Sequence, residues 1–455
     1  MPRRLVPLAL VAAVAVAVRL PGVYTQAFWQ DEVASARILA QGSLGAALAR
    51  IVRTESTPPL WYVVGWVAHH GGLAMRDVRL VSVVAGALLA AATTVLARRV
   101  VAETPAVLAG LLVALGVAFV AHGQELRAYE LFALVTVLFA LSLLAELDAP
   151  SRWREGALAA TTASGALTHY FFLFSAAAAL AWLWLDPAAR RIRRRATAAV
   201  GAGAVLTLPW APFALRQLHQ DRFWWIGPFT LRRLVSTPLR LFTPAFDDTH
   251  TGLALSVAAL AFVAVGAWAV RRSPAGRLAA VLALLPLALA GTGWALGWRI
   301  YAQRNLIAIG PFLAVSAAAA VAAVRVRPAV AATAAAAVCA LAASLAVSNT
   351  GRVPPYDVMA RELVADGWRS SIPIAVYGNP LRYRAPLEWY LPHRPVLALA
   401  RARPGGCRVV LVVTPRGRVE RERVHGRLRR ATYLGEAHDL PPCVRPLSAG
   451  HAALA

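Results

Sequence analysis

The 455-residue chain contains no lysine, and only 15% of its residues are charged, against about a quarter in soluble domains. All 47 basic residues are therefore arginine. Hydrophobic residues make up 59% of the chain, which excludes an ordinary soluble domain and indicates a protein of the lipid bilayer. The shortage of acidic residues leaves a net charge of +25. Because the arginines lie between apolar segments rather than on one water-exposed face, this charge does not indicate nucleic-acid binding.

Several motifs of known chemistry are also missing. The sequence has no glycine-rich phosphate loop, no Cys-x-x-Cys pair and no His-Glu-x-x-His motif, so its residues require no tightly bound metal. Of the three cysteines, Cys339 lies in an apolar run, where we expect an inert packing residue. We expect Cys407 and Cys443 outside the membrane, where a disulfide between them is permitted, and whether they pair stays open.

A helix needs about 20 apolar residues to cross the hydrocarbon core. Such runs predict a polytopic α-helical membrane protein with about eleven transmembrane helices. The predicted spans are residues 5–20, 78–97, 104–121, 128–146, 156–169, 170–185, 196–214, 251–270, 278–297, 305–324 and 328–348. We interpret the first run as a span and not as a cleaved signal peptide, because no convincing small-residue cleavage site follows it. The short apolar run at 58–70 is predicted to form an amphipathic or re-entrant helix at the outer surface.

The arginines predict the orientation, because basic residues accumulate in cytoplasmic loops. With a cytoplasmic N-terminus, an alternating path places on that side the clusters Arg3–Arg4, Arg98–Arg99, Arg152/Arg154, Arg190–Arg195, Arg271/Arg272/Arg277 and Arg325/Arg327. We therefore expect a multi-pass protein of the plasma (inner) membrane. Its outer segments are about 20–77 and 215–250, with juxtamembrane helices, and everything after residue 349.

The predicted domains are a transmembrane domain over 1–349 and a small extracytoplasmic α/β domain over 350–455. Short β-rich runs at 373–378, 395–400 and 407–413 alternate with helix-like stretches at 356–367, 381–391 and 418–430.

Two adjacent carboxylates, Asp31 and Glu32, follow the first span closely. One interpretation is that they favour the N-terminus of a surface helix over 33–41. The other is that one of them is a general base, its pKa raised by low-dielectric surroundings. Polar side chains also mark the outer ends of later spans, among them Arg79, Arg127 and Arg304. An arginine on the outer side needs a local partner, which an anion-binding pocket would supply, although snorkelling towards lipid headgroups is the alternative for any single one.

Motifs taken in chain order resemble a known family. They are W-x-D-E at 29–32, E-S-T-P-P-L-W-Y at 55–62, R-L-V-S-V-V-A-G at 79–86, G-Q-E-L-R-A-Y at 123–129, L-T-H-Y at 167–170 and R-N-L-I-A-I-G-P at 304–311. Over about residues 1–320 this ordered set resembles the protein O-mannosyltransferase-like bacterial members of the GT-C superfamily of glycosyltransferases. The resemblance implies the GT-C fold.

The resemblance also implies an activity: inverting transfer of a sugar, mannose or similar, from a polyprenyl-phosphate donor on the outer face of the membrane. The acceptor is a hydroxyl of a protein, a cell-envelope glycan or a lipid. Asp31 would be the general base, Glu32 would orient the acceptor or tune that base, and Arg127 with Arg304 or Arg79 would stabilise the departing phosphate. Further substrate-binding candidates are Arg19 (paired with the Asp31/Glu32 region), Glu55, Glu125, Tyr129, His169, Tyr170, Tyr301 and Gln303. For His169 a hydrogen-bonded interfacial histidine, and for Glu55 a solvated loop carboxylate, remain alternatives.

A divalent metal such as Mg²⁺ or Mn²⁺ near the phosphate stays open, with Asp31 and Glu32 as candidate ligands and Asp247–Asp248 as a weaker pair. The main rival function is a transporter or flippase of lipid-linked sugars, which is expected to show inverted internal repeats. We find no repeat in the sequence, and the ionisable residues gather at one face. A purely structural membrane partner, in which Asp31 and Glu32 only cap a helix, is the second rival.

Overall fold

The computed structural model describes residues 2–218, 223, 226–243, 250–323, 356–357, 360–361, 374–376, 380–391, 396–398, 409–412 and 446–448. The chain folds as two compact units. The helical unit comprises Met1–Tyr24 and Ile38–Asn349, and the small unit comprises Thr25–Arg37 and Thr350–Ala455. Residues 25–37 thus group with the C-terminal part of the chain, whereas the sequence-based boundary places them with residues 1–349.

The helical unit is built from α-helices joined mostly by short turns. In chain order the helices are α1 (Pro2–Thr25), α2 (Gln30–Leu39, largely in the small unit), α3 (Leu44–Thr54), α4 (Leu60–His70), α5 (Arg79–Ala97), α6 (Glu103–Leu115), α7 (Val117–His122), α8 (Tyr129–Asp148), α9 (Arg152–Thr168), α10 (Phe172–Leu185), α11 (Arg193–Val205), α12 (Ala211–Leu218), α13 (Leu231–Arg240), α14 (His250–Ala269), α15 (Pro274–Ala295) and α16 (Gly310–Ala323). A 3₁₀ segment, Gln303–Ile309, leads directly into α16.

Seven stretches among the described residues are long and apolar enough to cross a membrane, so the chain is a polytopic membrane protein. They are Leu5–Thr25, Arg79–Ala97, Tyr129–Asp148, Arg193–Leu218, His250–Ala269, Pro274–Ala295 and Gln303–Ala323. Three other predicted spans correspond to the shorter helices α6, α9 and α10, and the run at 328–348 lies outside the described residues. The number eleven therefore remains a prediction. The predicted surface helix at 58–70 corresponds to α4.

Small residues let the helices approach closely, which is how many membrane helices pack. A Cβ atom on Gly203 of α11 would collide with the carbonyl oxygen of Ala159 in α9. Likewise, a Cβ atom on Gly266 of α14 would collide with the backbone of Ser316 in α16. The abundance of alanine and glycine in these spans is therefore consistent with close packing of the bundle.

The predicted span 104–121 is broken. Helix α6 ends at Leu115, Gly116 has an extended conformation, and α7 begins at Val117. The first N–H groups of a helix lack intrahelical acceptors. Here the N–H of Ala118 donates to the carbonyl of Leu241, just after α13, at 3.1 Å. The break is thus satisfied by a neighbouring segment, and it places the turn at 123–128 at the end of α7.

Besides most of α2, the small unit contains four short parallel strands and the helix α17 (Pro380–Tyr390). The strands are β1 (Ile374–Val376), β2 (Val396–Ala398), β3 (Val409–Val412) and β4 (Pro446–Ser448), in the order β2-β1-β3-β4. The first three lie within the three predicted β-rich runs. The α/β domain as a whole remains a prediction, since the predicted helix at 418–430, Cys407 and Cys443 lie outside the described residues, as does Cys339.

Candidate functional site

Five of the predicted site residues lie together in the helical unit. We call them, with Tyr62, the Arg127 cluster: Glu55, Tyr62, Arg127, Tyr129, His169 and Arg304. Each comes from the end of a helix or a turn: Glu55 caps α3, Tyr62 is in the first turn of α4, Arg127 precedes α8, Tyr129 begins α8, His169 follows α9, and Arg304 lies in the 3₁₀ segment. All of these ends have the same predicted orientation.

Arg127 is held by a buried acidic and phenolic pair. Its Nη1 atom donates to Glu55 Oε2 at 3.2 Å and to the Tyr62 hydroxyl at 3.3 Å. The side chains of Arg127 and Glu55 are each only 8% exposed. Tyr62 donates to Glu55 at 2.9 Å, and its oxygen lies 3.1 Å from Thr57 Oγ1. Burial raises the pKa of the Tyr62 phenol above its usual value although Arg127 opposes the shift, so the phenol remains a donor.

Tyr129 lies between two arginines. The guanidinium carbons of Arg127 and Arg304 are each 5.9 Å from the centroid of its ring, so they are no further apart than twice that distance. Each distance is within the range of a cation–π contact. Two guanidinium groups this close create a positive potential beside the ring, and such a pair favours an anion such as a phosphate.

His169 is a buried, neutral imidazole beside these two charges. Its ring stacks on Phe132 with centroids 4.6 Å apart and lies 6.0 Å from the Tyr129 ring. Burial, together with the positive charges of Arg127 and Arg304, lowers the pKa of His169 to about 3. Its Nδ1 atom accepts a hydrogen bond from the N–H of Phe171 at 3.2 Å. The proton is therefore on Nε2, which makes that atom a donor.

The turn that carries Arg127 is fixed by two residues that the sequence did not single out. Ser82 of α5 donates to the carbonyl oxygens of Glu125 at 2.8 Å and of Arg127 at 3.3 Å. His122 Nδ1 lies 2.9 Å from Glu125 Oε2, so the Glu125 carboxylate interacts within its own turn. Ser82 and Tyr62 do lie inside the motifs that carry the family resemblance, and these motifs are the sequence feature that could have identified them.

Tyr170 has partners in a different helix. Its hydroxyl donates to Gln217 Oε1 of α12 at 2.5 Å and accepts from Trp210 Nε1 at 3.0 Å. Burial raises the pKa of this phenol although the Trp210 bond opposes it. Tyr170 therefore joins the turn after α9 to the segment that contains α12.

Tyr301 and Gln303 interact with residues at or near α13. The Tyr301 ring stacks on Trp294 with centroids 4.3 Å apart and planes 8° apart, and its hydroxyl forms a short hydrogen bond with Thr237. Burial raises the pKa of Tyr301 to about 12, although the Thr237 bond opposes the shift. Gln303 Oε1 accepts from Arg240 Nη1 at 3.2 Å. Arg240, which the sequence did not single out, is thus a cation next to the 3₁₀ segment that contains Arg304.

Arg19 and Arg79 are fully buried among helices. Arg79 Nη1 donates to the carbonyl of Val23 at 2.9 Å, which ties α5 to the end of α1. The sequence paired Arg19 with the Asp31/Glu32 region, but the ionic partner found here is Glu130 of α8, at 4.0 Å, with both side chains 0% exposed. Arg19 also donates to three backbone carbonyls, those of Ala15, Val113 and Ala114. Arg19 pairs with Glu130 because a buried charge takes an oppositely charged partner from a packed neighbour.

The carboxylate pair lies in the small unit, in the first turn of α2. Glu32 Oε2 accepts from the N–H of Trp29, the residue before the helix, at 3.4 Å, which is the acidic half of a capping box. The Asp31 carbonyl accepts from Ser35 Oγ at 3.0 Å. In the same unit the N–H of Phe28 donates to the Tyr390 hydroxyl at 2.8 Å, so the segment before α2 packs on α17.

No group of three or more His, Cys, Asp or Glu side chains within the described residues is arranged to hold a metal ion. Asp31 and Glu32 provide two carboxylates, of which Glu32 caps its helix. Asp247 and Asp248 lie outside the described residues.

No protein-family model and no curated protein matches the chain, but solved structures share its fold. ArnT from Cupriavidus metallidurans, bound to undecaprenyl phosphate, is 15% identical with a TM-score of 0.58, over 98% of this chain and 90% of that one. The apo oligosaccharyltransferase of Archaeoglobus fulgidus is 15% identical with a TM-score of 0.56, over 89% of this chain and 65% of that one. Its complex with Zn and sulfate is 14% identical with a TM-score of 0.55, over 86% of this chain and 62% of that one. The chain thus spans less than two thirds of the oligosaccharyltransferase. Both neighbours are GT-C proteins, which confirms the fold that the motifs predict.

Proposed function

We propose that this chain is a membrane glycosyltransferase that transfers a sugar from a polyprenyl-phosphate donor to a hydroxyl acceptor. The observation that carries the proposal is the Arg127 cluster, in which Arg127 and Arg304 flank one aromatic ring beside the neutral imidazole of His169. Two guanidinium groups suit a phosphate, and the shared fold includes a protein crystallised with undecaprenyl phosphate.

The reaction we infer is a single displacement with inversion. The acceptor oxygen forms a bond to the anomeric carbon while the bond from that carbon to the phosphate oxygen breaks, and the electron pair leaves with the phosphate. An anionic phosphate needs no proton to leave but does need positive charge, which Arg127 and Arg304 supply. Because Arg79 donates to the backbone of α1, we assign it to the support of the site and not to the phosphate.

The acceptor hydroxyl must lose its proton during the attack, and we assign that proton to the carboxylate of Asp31. Glu32 is the weaker choice because its carboxylate accepts the N–H at the start of α2.

His169 and Glu55 receive separate roles. The Nε2–H of His169 is a neutral donor for a phosphate oxygen or a sugar hydroxyl. It adds no charge at neutral pH, since its pKa is about 3. Glu55 accepts from both Arg127 and Tyr62, so we infer that it fixes the guanidinium of Arg127 in place and does not contact the sugar.

The finer assignments follow from the family resemblance. We propose mannose or a related hexose or pentose as the sugar and an acceptor of the cell envelope. We also propose reaction at the outer face of the plasma membrane, with the N-terminus cytoplasmic and the C-terminal domain outside.

The test is donor turnover in proteoliposomes that contain the purified chain and a panel of labelled polyprenyl-phosphate sugars. We expect release of polyprenyl phosphate with one of the donors, and an Asp31→Asn variant that loses about 100-fold or more in rate. Asp77→Asn, a loop carboxylate of the helical unit, is the matched control and should stay within about threefold of the unchanged protein. Turnover that survives Asp31→Asn contradicts the general base. Movement of intact donor across the bilayer without turnover would favour the flippase.

A further inference from the structure

An apolar groove lies between α10 and α15, and it shares no residue with the Arg127 cluster. Its volume is about 560 Å³, and its walls include Ala181, Leu185, Ala280, Val281, Leu284 and Ala288. Leu185 is 81% exposed and Leu284 is 41% exposed. Alanines on the facing turns leave a channel whose walls are hydrocarbon, the lining that suits an acyl chain.

One end of the groove is closed by a neutral ion pair. Asp186 accepts from Arg277 Nε at 2.5 Å and Nη2 at 2.8 Å, and from the N–H of Ala188 at 2.9 Å. Burial alone raises the pKa of Asp186, but these hydrogen bonds outweigh it and hold the pKa below its usual value. The aspartate is therefore ionised and cancels the charge of Arg277, and both residues line the groove.

Two further arginines lie near this end of the groove. Arg190 and Arg272 are exposed and form no ion pair within the described part of the chain. The N–H of Arg190 donates to the carbonyl of Pro187, which lines the groove. The carbonyl of Arg271, the residue before Arg272, accepts from the groove residue Arg277 at 2.8 Å. Positive charge thus flanks the polar end of the groove from both helices.

Two exposed tryptophans place this end at the level of lipid headgroups. Trp184 is 51% exposed and lies 5.0 Å from the guanidinium of Arg193, and Trp268 is 64% exposed and lies 3.7 Å from that of Arg271. Tryptophan and arginine together are typical of the membrane–water boundary. The arginine clusters also predict that this side is cytoplasmic, where anionic lipids are concentrated.

We propose that the groove binds one acyl chain of an anionic phospholipid, whose phosphate is held by Arg190 and Arg272. The apolar walls select a hydrocarbon chain. The charges at the mouth select an anionic headgroup over a zwitterionic one, because Asp186 is already committed to Arg277. A helix from a second copy of this chain is a less suitable occupant, since the same arginines would then repel one another.

The test is native mass spectrometry of the purified full chain, released from micelles that contain phosphatidylglycerol or phosphatidylcholine. We expect one phosphatidylglycerol to be retained per chain in preference to phosphatidylcholine. Ala280→Phe fills the groove and should abolish retention, whereas Ala261→Phe, on the exposed face of α14, should not. Arg190→Gln and Arg272→Gln should each weaken binding about fivefold, and Arg152→Gln should have no effect.

Three outcomes overturn the proposal. They are equal retention of both lipids, retention that survives Ala280→Phe, and a dimer of the unchanged protein that Ala280→Phe converts to a monomer. The arginine variants alter only exposed side chains, so they decide the headgroup assignment even if the phenylalanine variant does not fold.

Discussion

Substitution of Arg19 by methionine is expected to lower the free energy of unfolding by about 3 to 5 kcal/mol, because it leaves the buried carboxylate of Glu130 without its counter-charge. Among the described residues, neither oxygen of Glu130 has a hydrogen-bond partner. The guanidinium of Arg19, 4.0 Å away, is the group that compensates it. Substitution of the partner residue, Glu130→Leu, is expected to cost about 1 to 2 kcal/mol, since Arg19 keeps its three backbone acceptors.

The double variant Arg19→Met/Glu130→Leu should then be more stable than Arg19→Met alone, because it removes both charges together. Equilibrium unfolding in mixed micelles with increasing dodecyl sulfate measures all three variants. Arg99→Met is the matched control: its partner Asp148 lies 2.6 Å away but both side chains are over a third exposed, so about 1 kcal/mol or less is expected. If the cost of the double variant equals the sum of the two single costs within about 0.5 kcal/mol, the coupling between the two side chains is refuted.

Three further predictions concern the same unit. Gly86→Ala places a Cβ 2.7 Å from the arginine Nε and 2.8 Å from a carboxylate oxygen of this ion pair. It should cost about 1 to 3 kcal/mol in the same unfolding assay, and an unchanged midpoint would contradict the tight packing. His169 has a pKa lowered from 6.5 to about 3, so the unfolded chain takes up a proton first as the pH falls. The contribution of His169 to the free energy of unfolding is therefore complete above pH 6.5. It declines by up to about 1.4 kcal/mol per pH unit towards pH 3. In His169→Gln the melting temperature should depend less on pH between pH 6.5 and 4 than in the unchanged protein. An equally steep pH dependence in the variant would contradict this assignment. Tyr62→Phe should lower the kcat/KM of donor turnover about tenfold by loosening Arg127, whereas Tyr24→Phe, at a 48% exposed residue, is the neutral control. Equal activity of the two variants would count against the role of the phenol.

The meeting of Arg127, Tyr129, His169 and Arg304 could be predicted from sequence because each lies at a helix end. Span lengths and arginine placement assign these ends to one side of the membrane, and neighbouring ends on one side are close in a bundle. The chemical roles of these residues remain predictions.

The pairing of Arg19 with Glu130 could not be predicted in the same way. Glu130 lies at the start of a continuous apolar run, and its contact with α1 depends on the rotation of one helix against another, which periodicity does not determine. The break at Gly116 was also missed, because residues 104–121 are apolar throughout and the hydrogen bond from Ala118 to Leu241 joins segments far apart in sequence.

Donor turnover of Arg304→Gln beside Arg299→Gln tests the central claim most directly. Arg299 is an exposed arginine five residues before Arg304, so the two variants remove the same charge from almost the same segment. If Arg304 stabilises the departing phosphate, Arg304→Gln lowers the kcat/KM for the polyprenyl-phosphate sugar about 100-fold or more, while Arg299→Gln stays within about threefold. Equal rates for the two variants would contradict a phosphate site at the Arg127 cluster.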